Sequence, residues 1–109
     1  MMIRKLNAKD TRIVAMMIRQ ALPALENIEL SQLETETETD HKIRLVKQVL
    51  PALMDACFDE AWSWLASLAE MTVEEFEQQP PQFPIEVGYE LSKSDGLADF
   101  FSSVRKLIA

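Results

Sequence analysis

Apolar residues recur three and four positions apart along almost the whole chain, and only two glycines interrupt them. This spacing gathers the apolar side chains of a segment on one face of a helix, whereas a half-buried strand needs alternation at every second residue. Ile13, Met17, Ala21 and Leu25 form a first stripe, widened by Val14, Ile18 and Leu22. Ile43, Val46, Leu50, Leu53, Met54, Cys57, Ala61, Leu65 and Leu68 form a second. Leu97, Phe100, Phe101, Val104, Leu107 and Ile108 form a third. Scarce glycine and 27% charged residues suit helices better than a turn-rich β fold. The expected fold class is all-α: a small single-domain bundle of four to six helices spanning 1–109.

Capping signals place the ends of these helices. Asn7 suits the N-cap of the first, with Asp10 three residues on as in a capping box. Pro23 should end its regular part near Ala21 or Leu22. A long helical region should run from a cap at Asp40 to Glu70, bent at Pro51 into two helices, the second from Pro51 to Ala69. In Met71–Thr72–Val73–Glu74–Glu75–Phe76, Thr72 and Glu75 have the spacing of a capping box and Met71 and Phe76 that of a hydrophobic staple. A short helix from Val73 to about Gln79 should stop at Pro80 and Pro81. Pro84 suits the start of the next, with Ile85, Tyr89 and Leu91 expected to face inward. The last follows a cap at Ser94 or Asp95 and carries Arg105 and Lys106 in its final turn, where the helix dipole favours positive charge.

Between the first two stripes lies an acidic segment in which threonine alternates with glutamate. Its like-charge density and lack of an apolar face predict a mobile acidic linker over 31–40. The alternation leaves a short hairpin that includes Asn27 to Leu30 as the other reading, since threonine favours extended backbone.

The formal charge is −7. Such a surface repels phosphate backbones and anionic lipid, so neither nucleic acid nor a membrane is an expected partner. No segment has the eighteen or so apolar residues of a membrane span and no secretory leader is visible, so the expected location is cytoplasmic. Arg4, Lys5, Lys9, Arg12 and Arg19 face only Asp10 in the opening residues. This basic end is either a solvated helix surface or a means of steering a partner or a second copy, and a homo-oligomer is one expected outcome.

Cys57 is the single cysteine, in an apolar context that suits a small buried thiol, and His41 is the single histidine, expected at the surface of a helix start. Together they cannot supply a zinc site. There is no glycine-rich phosphate loop and no nucleophile elbow. The sequence therefore points to a non-enzyme, with no catalytic residue, cofactor or metal. Trp62 and Trp64 cannot share one helix face; Trp64 extends the core stripe, while Trp62 falls beside Phe58 on its flank. The candidate protein-binding residues are Phe58 and Trp62 on that flank and Phe100, Phe101 and Val104 on the last helix, each equally able to serve as internal core.

The run DEAWSWLASLAEMTVEEFEQQP resembles the central signature of phage tail assembly chaperones, through Trp62, Trp64, Leu65, Leu68, Ala69, Met71, Thr72, Glu74, Glu75, Phe76 and Pro80. The closing Asp99, Phe100 and Phe101 and the opening KLNAKDTRIVAMMIRQAL are compatible with the same family, so the resemblance covers most of the chain. The threonine–glutamate segment is not part of it. The resemblance implies a phage or prophage protein that binds the tape measure protein, and possibly tail tube subunits, while the tail tube assembles. It would act in the cytoplasm of the bacterial host and be absent from the mature virion. It implies no cofactor and no covalent chemistry. The alternative is a small non-enzymatic regulatory or structural virion protein.

Overall fold

In a computed structural model of the chain, residues 3–25, 28–29 and 32–108 are described. Among them are seven helices and no strand: α1 (Ala8–Gln20), α2 (Leu22–Leu25), α3 (Glu38–Ala56), α4 (Phe58–Leu68), α5 (Val73–Glu77), α6 (Phe83–Ser92) and α7 (Leu97–Ile108). The all-α expectation holds, but the number exceeds the four to six expected, because the chain after α1 re-forms as a separate helix of one turn, α2. The whole measures 40 × 27 × 23 Å. The most extensive helix contact joins α1 to α7, followed by α3 to α6 and α3 to α4.

The start of α1 is as the sequence predicts. The Asn7 side chain accepts from the Asp10 backbone N–H, and the Asp10 carboxylate accepts from the Asn7 N–H at 2.8 Å. Val14, Ala15, Met17 and Ile18 are buried. The chain leaves α1 at Ala21, whose N–H still reaches Met17 and Ile18, and re-forms as α2 around Pro23.

In the acidic segment, Ser31 lies outside the described residues, as do Asn27 and Leu30 of the alternative hairpin. Residues 38–40, assigned above to the linker, are instead the first turn of α3, capped by the Thr37 side chain rather than by Asp40. Arg44 binds the Glu36 carboxylate at 2.6 and 3.0 Å and the Glu29 carbonyl at 2.6 Å. The hydrogen bonds from Arg44, helped by the Leu33 N–H, hold the Glu36 carboxyl at about 2. One guanidinium thus meets one of the carboxylates of the acidic segment.

The earlier start of α3 moves His41 off the helix end. It lies in the buried face, 3% exposed, one turn before Leu45, which corrects the surface assignment. The buried stripe continues through Val49 and Leu53, while Ile43, Val46 and Leu50 lie at its half-buried edge. Pro51 does not break the helix. It is exposed, and the carbonyl it leaves without a donor belongs to exposed Lys47, so water can replace the missing bond. The break comes at Cys57, whose φ of −150° and ψ of 66° let one residue close α3 and open α4. Its buried thiol donates to the Leu53 carbonyl at 3.3 Å.

A Schellman turn ends α4: the Met71 N–H reaches the Ala66 carbonyl and the Glu70 N–H that of Ser67. Glu70 takes the left-handed position at φ 58°, where glycine is usual. Glu70→Gly is therefore expected to raise stability by about 0.5–1 kcal/mol, read from the shift in urea midpoint. The Thr72–Glu75 capping box opens α5, and Phe76 is 1% exposed. Thr72→Ala should cost about 0.5–2 kcal/mol in the same assay.

α6 opens at Phe83, one residue before Pro84, and this sets its register. Phe83, Val87, Gly88 and Leu91 face inward, as expected only of Leu91, while Ile85 and Tyr89 are 75% and 58% exposed. Gly88 lies against Val46 and Leu50 of α3. α7 follows Gly96, at φ 77°, and buries Leu97, Phe100, Phe101 and Val104; Leu107 is left half exposed.

Candidate protein-binding site

Two clusters hold α4 in place, and one of them reaches the surface. The inner cluster is polar. Asp10 is fully buried and accepts from Arg4 at 2.7 and 2.8 Å, from the Asn7 N–H and from the Trp64 indole N–H at 3.0 Å. Arg4 also donates to the Ser67 carbonyl and hydroxyl, and its own N–H reaches the Leu68 carbonyl. Burial pushes the Asp10 carboxyl up, but the hydrogen bonds from Arg4, the Asn7 N–H and Trp64 outweigh it and hold the group below the usual carboxylate range. These contacts fix α1 and α4 antiparallel, with Met17 approaching Cys57 at their other end. The arrangement is structural, since every acceptor on Asp10 is directed at a group of this chain.

The outer cluster is aromatic. Phe58 stacks on Trp62, with centroids 5.3 Å apart and planes at 19°. The edge of Trp62 meets Phe76 of α5 at 4.9 Å, and Phe76 meets Phe83 of α6 at 5.5 Å. The series runs from the core to the surface: Phe76 and Phe83 are buried, Trp62 is half-buried and Phe58 is 51% exposed. The Trp62 indole nitrogen is buried and has no hydrogen-bond partner among the described residues. Helical spacing puts Phe58 and Trp62 on the flank of α4 turned away from α1, because the Glu60, Ser63 and Ser67 row lines the cleft beside Lys9 and Ile13.

The five candidate residues separate cleanly. Phe58 and Trp62 form an accessible aromatic shelf, whereas Phe100, Phe101 and Val104 are 8%, 3% and 0% exposed and belong to the interior between α7 and its neighbours. The shelf is set in an anionic surround. Between Lys47 and Lys93 the sequence has nine acidic residues and no lysine or arginine. Asp55 is exposed near the end of α3, Glu74 and Glu77 are exposed on α5 beside Phe76, and Asp59 lines the cleft that Lys9 also lines. Exposed Ile85 and Tyr89 on α6 belong to the same stretch. Only the start of α6 at Phe83, a contact with Phe76, would have revealed them in the sequence.

Little else suggests chemistry. Burial, and then the charge of Glu60, raises the Cys57 thiol above its ordinary range, which makes it a poor nucleophile. Among the described residues no group of three or more His, Cys, Asp or Glu is placed to hold a metal ion, and no helix is long and apolar enough to cross a membrane. Comparison with protein-family models, curated proteins and solved structures found no match to the chain.

Proposed function

We propose that this protein is a phage or prophage tail assembly chaperone, binding the tape measure protein in the host cytoplasm and assisting tail tube assembly without catalysing a reaction. The observation that carries the reading is the run from Trp62 to Phe76, which resembles the family signature and supplies the Trp62 ring on which exposed Phe58 stacks and the buried Phe76 that supports it. A helix-binding protein needs an apolar surface with anchors held rigid, and aromatic side chains packed from below meet that need at low entropic cost. Phe58 and Trp62 are those anchors in this reading, with tail tube subunits as further partners.

The test is co-expression with the long helical protein encoded beside this gene. A soluble complex that co-purifies is the expected result, together with a tape measure protein that is less soluble alone. Phe58→Ser should weaken the complex by at least about tenfold, the scale of losing one aromatic anchor, while leaving the far-UV circular dichroism unchanged. A tape measure protein that remains equally soluble and uncomplexed would end this reading.

A further inference from the structure

The shelf has a charge as well as a shape. Phe58 is half exposed although it stacks on Trp62, so part of its ring is open to a partner. Asp55 lies three residues before it, Glu74 and Glu77 are on α5, whose Phe76 supports Trp62, and Glu86 follows Phe83 by one turn of α6. All four carboxylates belong to exposed residues, and none makes an ion pair among the described residues. The helices that build the shelf offer them no counter-charge: α4, α5 and α6 contain no lysine or arginine. Among the described residues Arg4 and Lys9 reach α4, but they line the cleft on its other side, together with Asp59 and Glu60.

We infer that the segment filling the shelf is a cationic amphipathic helix, with large apolar side chains on one face and lysine or arginine at the flanks of that face. The inference rests on the binding site proposed above and names the chemistry of the partner segment it takes. An apolar side chain with a cation one turn away on the same helix meets both properties of the shelf. The apolar group covers Phe58, and the cation reaches Asp55, Glu74 or Glu77 at the rim. A cation that comes to lie over the open part of the Phe58 ring is attracted by the ring as well. Charge complementarity selects this partner. An apolar helix with acidic flanks meets like charge around the shelf and is repelled, while a neutral one covers the rings but leaves the rim carboxylates without a counter-charge.

Fluorescence anisotropy of labelled synthetic peptides added to the full chain tests it. The peptides share one helical stripe of leucine and phenylalanine, and the positions flanking the stripe carry lysine, glutamine or glutamate. The lysine peptide should bind at least about tenfold tighter than the glutamine peptide, the glutamate peptide should bind most weakly, and about 0.5 M salt should remove most of the difference. A scrambled lysine peptide without the stripe should bind at least about tenfold more weakly than the ordered one, which separates docking from general attraction to an acidic protein. Two variants at exposed positions, each checked for folding by circular dichroism, locate the contact. Phe58→Ser should weaken the lysine and glutamine peptides alike, and Glu74→Gln with Glu77→Gln should weaken the lysine peptide alone. Equal affinity for lysine and glutamine peptides, a scrambled peptide that binds as well as the ordered one, or binding indifferent to both variants would overturn the inference. A lysine preference without a tape measure complex upholds the inference and ends the tape measure reading; a complex without a lysine preference does the reverse.

Discussion

Replacing Phe76 by alanine should cost about 3–5 kcal/mol, the usual range for emptying a buried phenylalanine site. Phe76 is 1% exposed and is the ring on which Trp62 and Phe83 converge, so its loss opens a cavity lined by α4, α5 and α6 at once. A domain of this size has about 5–15 kcal/mol in total, so the variant should unfold at a much lower urea concentration. Phe58→Ala, at the exposed end of the same series, should change stability by no more than about 0.5 kcal/mol. Equal losses at both positions would mean that Phe58 is part of the core and that the shelf is not a free surface.

Replacing Asp10 by alanine should cost about 2–4 kcal/mol, since it leaves Arg4 and the Trp64 indole N–H without their acceptor and removes one arm of the α1 capping box. The effect depends on pH in a definite direction. The folded-state carboxyl titrates below its unfolded value, so its ionised form favours the folded state. The stabilisation is present in full above the unfolded value of 3.8 and disappears as pH falls through the folded one. The difference between wild type and variant should therefore be constant from neutrality to about pH 5 and shrink below about pH 4. A difference that stays the same down to pH 2 would show that Asp10 acts through packing rather than charge.

What the sequence makes legible is local. The boxes at Asn7–Asp10 and Thr72–Glu75 form as their spacing predicts, because their groups lie three residues apart and need no tertiary help. The stripes of α1 and α7 are read with little error for a similar reason: their apolar residues dominate one face. The misreadings arise where tertiary context decides. The sequence points to Pro51 for the bend that belongs to Cys57, because nothing in it tells which face of α3 meets water. Spacing alone points Ile85 and Tyr89 inward, because the start of α6 depends on Phe83 finding Phe76. Of the candidate site, the pairing of Phe58 with Trp62 follows from a four-residue spacing, but that Phe100, Phe101 and Val104 are consumed by the interior requires knowing that α7 lies on α1. The Arg4–Asp10–Trp64 cluster joins residues more than fifty positions apart and has no local signature.

That α1 and α7 are each other's principal neighbours has a consequence for synthesis on the ribosome. The apolar face of α1 is made long before α7, the helix on which it packs most extensively. At roughly 5–20 residues per second, α1 waits several seconds for α7 to be made. Local pairing cannot relieve the wait, because the closing contacts span nearly the whole chain and carry a loop-closure cost that slows folding. A nascent chain stalled before Leu97 should thus remain open to proteases along α1, and release of α7 should be the event that makes this part of the molecule resistant.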